Sequence, residues 1–294
     1  MKKLILTAFI GLTSFVYANV NAVVSILPQQ TFLEKIGGDK VNITLMVKPG
    51  SSPHSYEPKP SQMRDISKAD VYFSIGVEFE HTWLEKFKSQ NKSMLIKDMG
   101  QGIIKIEIEE HSHHDEHEKE AHHKHAKDDH HEEDNIDPHI WLSPKNVKII
   151  AQNIFATLSQ IDSKNSAYYK QNLELFLEEI KTTDKMIKEI LKNTPKQTKF
   201  MVFHPSWGYF AKDYDLEQFA IESGGKNPKP KQIAYLIEEA KEEKVSSIFT
   251  APEFSTKTAN QIAKEVGVPV VKISPLNPQW SKNLIKLAEA ISHN

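Results

Sequence analysis

Apolar and polar positions along this chain switch repeatedly between a two-residue and a three-to-four-residue period. After Met1-Lys2-Lys3 comes an apolar stretch over residues 4–17, a charged start and hydrophobic core of the kind seen in export signals. Residues 23–27 form a short β-branched run that predicts a first strand. Phe32, Leu33 and Ile36 then fall at helical spacing over 29–36, and Gly37-Gly38 stops them. Residues 41–47 alternate as a strand, and Pro49-Gly50-Ser51-Ser52-Pro53 forces a loop that presents His54. Ser61 predicts a cap for a helix over 61–68, followed by a buried strand at 71–75, a helix over 80–88 and a further strand at 94–96.

A polar run over 109–134 breaks this alternation. Beyond it, Ser143-Pro144 reads as an N-cap followed by proline in the first helical position. Val147, Ile150, Ile154 and Leu158 continue that helix over 144–158. Residues 166–191 are charged, helix-favouring and free of Gly and Pro; at about 1.5 Å per residue such a helix crosses a whole domain face. A second alternating half follows. Strands are predicted at 200–203, 216–221, 247–249 and 268–273, with helices over 233–244, 256–266 and 283–291. The repeated βα rhythm predicts an α/β fold: two lobes with mostly parallel sheets flanked by helices, joined by one long rigid linker helix. The expected division is a signal segment over 1–22, cleaved after Ala18 or Ala22, a first lobe over 23–163, a linker helix over 164–194 and a second lobe over 195–294.

Composition adds two constraints. There is no cysteine, so neither disulfides nor thiolate ligands are available, and no lipid-anchoring cysteine stands at the signal boundary. Release into a periplasm is the expectation. Charge is distributed unevenly: residues 109–134 hold 11 acids and three lysines, a net of −8, against −2 for all 294 residues. The basic excess elsewhere is scattered without aromatic interleaving, which points away from nucleic acid. Nine of the 14 histidines lie in the polar run: His111, His113, His114, His117, His122, His123, His125, His130 and His131. With so few apolar side chains the run cannot fold on its own. Its imidazoles read as a weak, fast-exchanging secondary metal store.

Three other histidines share a stiffer setting. His54 lies in Pro53-His54-Ser55-Tyr56-Glu57-Pro58, His139 in Asp137-Pro138-His139-Ile140-Trp141 and His204 in His204-Pro205-Ser206-Trp207-Gly208. An adjacent proline fixes the backbone at each. His204 also follows a predicted strand, where α/β sheets place ligands. Alone, each reads more simply as a capping or hydrogen-bonding loop residue. Together they suit a borderline-soft divalent cation. His81 reads as a surface residue, His293 as part of the tail, and Trp141 and Trp207 as packing beside the site.

These three motifs, with Leu142-Ser143-Pro144 and Tyr209-Phe210 extending two of them and Phe249-Thr250-Ala251-Pro252-Glu253-Phe254 in the tail, resemble the metal-binding solute-binding proteins of ABC transporters, and among them the ZnuA-type periplasmic zinc-binding proteins. The resemblance implies two lobes, a long connecting helix and Zn²⁺ held between lobes by His54, His139 and His204. It implies delivery to a membrane permease powered by a cytoplasmic ATPase, and a monomer rather than an enzyme. A departure stands at Ile273-Ser274-Pro275-Leu276, where the family usually carries Asp in place of Ser274. The fourth ligand is then expected to be water, with Glu57 or a residue of the polar run as alternatives. Three readings compete: a zinc hydrolase, since three imidazoles and an open position also describe catalytic zinc; a manganese-importing relative; and a metal buffer acting through the polar run alone.

Overall fold

Pro28 decides where the chain first turns. A proline at the second helical position sacrifices no hydrogen bond, and the Gln29 side chain accepts from the backbone N–H groups of Ser25 and Ile26 at 2.9 and 3.1 Å. The first helix therefore begins at Leu27, and the strand before it lies three residues earlier than its apolar run suggested, at Val20–Val24. The computed structural model describes residues 19–108, 135–222, 226–254 and 256–292, so the signal segment as far as Ala18, the polar run and His293 lie outside the described residues.

The elements follow as β1 (Val20–Val24), α1 (Leu27–Gly37), β2 (Val41–Leu45), α2 (Pro60–Ile66), β3 (Val71–Ser74), α3 (Glu78–Gln90), β4 (Leu95–Asp98), α4 (Pro144–Ile161), α5 (Ser166–Ile190), β5 (Thr198–Val202), α6 (Gly208–Asp213), β6 (Leu216–Ala220), α7 (Pro230–Glu242), β7 (Ile248–Thr250), α8 (Lys257–Val266), β8 (Val270–Lys272) and α9 (Trp280–Ser292). Helix α2 is not capped by Ser61. Lys59 takes the cap position, Pro60 the first turn, and Gln62 Oε1 accepts from the Lys59 N–H at 2.9 Å. The short helix α6 carried too little periodicity to be predicted. Cap and proline at Ser143-Pro144 are as expected, with Ser143 Oγ accepting from the Asn146 N–H at 3.1 Å.

Each lobe has one wholly parallel four-stranded sheet, ordered β2-β1-β3-β4 and β6-β5-β7-β8. Parallel strands need helical crossovers, and in such sheets loops beyond the strands' carboxyl ends collect ligands. Helix α5 buries Tyr169, Leu173, Phe176, Ile180, Thr183 and Ile187 along one face at three-to-four spacing. Its 25 residues give about 38 Å of rod at 1.5 Å per residue. It packs on α1 and α4 of the first lobe and on α9 of the second.

One continuous apolar cluster runs through both lobes, from Val20 to Ile291, and a second fills the space between the second sheet, α7 and α8. Polar ties cross as well. Trp141 Nε1 donates to Pro275 O at 2.8 Å, and Trp280 Nε1 to Trp141 O at 2.7 Å. Ser143 Oγ donates to Asp213, whose other oxygen pairs with Lys145 at 2.8 Å. Trp141 and Trp207 are both buried, as their motifs suggested. No helix among the described residues is long and apolar enough to cross a membrane.

Candidate metal centre

His54 is reached through the loop after β2, in a 3-10 turn over Pro53–Ser55 that Ser52 caps by accepting from the His54 N–H at 3.3 Å. His139 stands just before another such turn, Ile140–Leu142, ahead of α4. His204 follows β5 by two residues, its approach fixed by Phe203 N–H bonding to Phe249 O at 2.8 Å. These loops bring the three rings together. Ring centroids are 4.6 Å apart for His54 and His204, 5.3 Å for His139 and His204, and 6.4 Å for His54 and His139. One nitrogen from each lies within 4.8 Å of the others.

Each imidazole is aimed by a carboxylate on its Nδ1. Glu78, the first residue of α3, holds His54 at 2.7 Å. Asp137 Oδ1 takes both the Nδ1 and the backbone N–H of His139, each at 2.8 Å. Glu222, two residues beyond β6, holds the Nδ1 of His204, and its backbone N–H bonds to Phe203 O at 3.0 Å. With Nδ1–H donating to a carboxylate, the Nε2 lone pair is left for a metal, and a carboxylate behind the ring raises its basicity. The Nε2 of His204 is buried without a hydrogen-bond partner. A buried nitrogen of that kind carries a desolvation cost unless an ion or water takes it.

The carboxylates shape the electrostatics. Burial pulls His54 down, but the hydrogen bond and charge of Glu78, with Glu222 farther off, outweigh it and leave His54 above its ordinary value. Burial also works against ionised Glu78, yet His54 and then His139 hold it down at about 2. For His204 burial dominates. Glu222 opposes it, His139 and His54 add to it, and the imidazole stays below its ordinary value.

The rings face a cavity of about 10 Å³, roughly one water-sized sphere. That suits an ion. Trp141, Glu253 and Phe254 complete its wall with Pro53, Pro275 and Leu276. Phe254 stacks on His204 with centroids 4.8 Å apart. Glu57 is exposed and does not line the cavity. Ser274 also stands back from it; its hydroxyl bonds to Glu253 at 3.0 and 3.2 Å. His81 is exposed and apart from the cluster.

Two further residues serve this centre. Gly208 lies against the Asp137 carboxylate so closely that a Cβ there would meet Oδ2 at 2.8 Å, so only glycine fits without displacing the group behind His139. Tyr209 accepts from the Ile106 N–H at 3.2 Å and donates to Asp137 O at 3.1 Å. It thereby ties the second lobe to the root of the polar run. There Glu107 pairs antiparallel with Ile136, with Ile108 N–H bonded to Asn135 O at 2.9 Å. The nine histidines of the run lie outside the described residues, but the run leaves and rejoins the fold a few residues from His139.

The family model described as ZnuA, zinc-uptake complex component A, periplasmic, matches residues 22–293. The zinc-binding protein AdcA of Streptococcus pyogenes serotype M3 is 29% identical over 270 residues, covering 90% of this chain and 52% of the relative; the chain thus spans about half of that protein. The manganese ABC transporter substrate-binding lipoprotein ScaA of Streptococcus gordonii is 30% identical, covering 91% of this chain and 86% of its own. A crystal structure of ZnuA superposes with a TM-score of 0.82 at 40% identity, over 94% of this chain and 98% of that one. The chain belongs to the ZnuA family, the metal-binding solute-binding proteins of ABC transporters.

Proposed function

We propose that this protein captures Zn²⁺ between its lobes through the Nε2 atoms of His54, His139 and His204, and delivers it to the permease of an ABC transporter whose cytoplasmic ATPase drives import. The observation that carries this reading is the set of three imidazoles, each with a carboxylate on Nδ1, around an ion-sized cavity. Three nitrogen donors suit Zn²⁺ better than Mn²⁺, which prefers oxygen. The name of AdcA points to zinc and that of ScaA to manganese; the all-nitrogen donor set supports the zinc reading. Membership of a solute-binding family argues for binding rather than hydrolysis.

Two ligands come from the first lobe and one from the second, so the ion cross-links the lobes. Because apolar core and Trp141–Pro275 contacts already join them, uptake and release work through loop movement at the half-buried His54 rather than through wide opening. The protein acts as an exported, periplasmic monomer. Cleavage after Ala18 leaves β1 whole, whereas a cut after Ala22 would remove its first three residues. The first lobe, expected from 23, takes in β1 from Val20 and runs to 163; a linker over 164–194 and a second lobe over 195–294 follow. The run over 109–134, rooted beside His139, gathers zinc at weak sites and passes it inward.

Isothermal titration of the mature chain tests this. One tight zinc site is expected, with manganese far weaker. Deleting 109–134 should abolish extra weak sites and spare the tight one. A proton on His54 competes with the metal, and its pKa lies above 6.5. Affinity should therefore begin to fall above pH 6.5 as pH drops, by about tenfold per unit once one ligand must lose its proton. Loss of the tight site on deleting the run would overturn the reading in favour of a buffer.

A further inference from the structure

Three carboxylates stand behind the imidazoles, and a fourth, on the cavity wall, is not spent on one. Glu78, Asp137 and Glu222 each hold an Nδ1. Glu253 lines the same cavity as the three rings but bonds to the neutral hydroxyl of Ser274, through Oε1 at 3.0 Å and Oε2 at 3.2 Å. That hydroxyl is itself fixed, accepting from the Leu276 N–H at 3.0 Å, while Asn283 Nδ2 donates to Ser274 O at 2.9 Å. Glu253 sits in the turn after β7, closed by Phe254 N–H to Ala251 O at 3.1 Å. Its neighbour Phe254 stacks on His204 and lies 6.2 Å from His54, so this turn is registered against two of the three ligands.

Three neutral imidazoles leave a tetrahedral Zn²⁺ one ligand short and carrying its full charge. Glu253 stands on the wall outside the 4.8 Å cluster of imidazole nitrogens; resting on the three-histidine reading, we propose that it turns inward on metal binding and supplies the fourth ligand through one carboxylate oxygen, while Ser274 keeps its hydrogen bond to the other and positions it. Ser274 then acts as Glu78, Asp137 and Glu222 do for the imidazoles: it orients a ligand without touching the ion. The arrangement brings one negative charge into direct contact with the metal. It also places two ligands in each lobe, His54 and His139 against His204 and Glu253. Glu57 has no part in it, being exposed and outside the cavity wall.

The test uses the mature full-length chain, zinc competition titration against a chromophoric chelator, and the visible spectrum of the Co²⁺-loaded protein. Glu253→Gln should weaken zinc by at least about tenfold to a hundredfold and change the Co²⁺ bands, since an anionic oxygen is lost. Ser274→Ala should weaken zinc less and leave the Co²⁺ bands four-coordinate, because the carboxylate remains. Unchanged affinity and an unchanged Co²⁺ spectrum in Glu253→Gln would overturn the proposal and leave the three-histidine site intact with a different fourth ligand. A parent protein with no tight stoichiometric zinc would instead overturn the site itself.

Discussion

His204→Ala is expected to weaken zinc binding by about a hundredfold to a thousandfold. The apparent zinc affinity of a four-ligand site at neutral pH is worth about 10–16 kcal/mol, so one ligand of four carries about 3–4 kcal/mol, or two to three decades in affinity. His204 sits at the upper end of that range for two reasons. It is the imidazole that the second lobe contributes, so its loss leaves that lobe with only Glu253 to hold the ion. Its side chain is also the partner of Glu222, a carboxylate only 7% exposed. Removing the ring leaves that buried acid without its donor, at a cost of about 1–3 kcal/mol in stability as well. Competition titration reads the first effect and thermal denaturation without metal the second. Affinity within threefold of the parent protein would show that His204 is not a ligand.

The second large effect is expected at a residue that touches no metal. Trp141→Ala should cost about 3–5 kcal/mol, the usual range for truncating a buried aromatic. For a chain of this size that lowers Tm by on the order of 10 °C. Trp141 is fully buried, its ring lies 5.2 Å from that of His139, and its indole N–H reaches Pro275 O in the other lobe. Its own carbonyl accepts from Trp280, which stacks edge-on against Phe32 at 5.7 Å. One side chain thus joins a ligand loop, both lobes and the shared core. Trp141→Phe, which keeps the ring but leaves Pro275 O without its donor, should lose about 1–3 kcal/mol. Excess zinc should recover part of the deficit in both variants, because ligand that binds only the folded state stabilises it. A Tm within a degree or two of the parent for Trp141→Ala would mean the lobes are held together elsewhere.

How far the sequence disclosed this arrangement depended on whether a signal was local. The α/β rhythm, the long helix and the Ser143-Pro144 start are written in short windows of periodicity and capping, and they appear in the structure within a few residues. The first strand was displaced because its apolar run continues into Ile26 and Leu27, which belong to the turn and to α1; the Gln29 side chain that caps this turn is held there by donating to Phe73 O, a tertiary bond that no local window shows. Helix α6 was missed because six residues make less than two turns. At the site, proline-flanked histidines were legible one motif at a time. Their supporting carboxylates were not. Glu78 lies 24 residues from His54 and Glu222 18 from His204, and both meet their imidazoles only because adjacent loops at the strand ends are folded together. Asp137 was in plain view in Asp137-Pro138-His139, two residues before its partner, and that spacing could have been read as a backbone-and-ring clasp. Glu253 could not be placed without knowing that β7 ends beside β5.

The histidine-dense run drew the eye first because composition is visible without a fold. The structure shifts the weight to three imidazoles that lie 150 residues apart at their extremes, from His54 to His204, and that only two facing lobes can assemble. Diffraction from the mature protein crystallised with one equivalent of zinc, with anomalous data collected on both sides of the zinc absorption edge, tests that assembly most directly. The account predicts one strong anomalous peak between the lobes, about 2.0–2.1 Å from the Nε2 atoms of His54, His139 and His204. A principal peak elsewhere, or coordination through any of the three Nδ1 atoms now held by Glu78, Asp137 and Glu222, would contradict it.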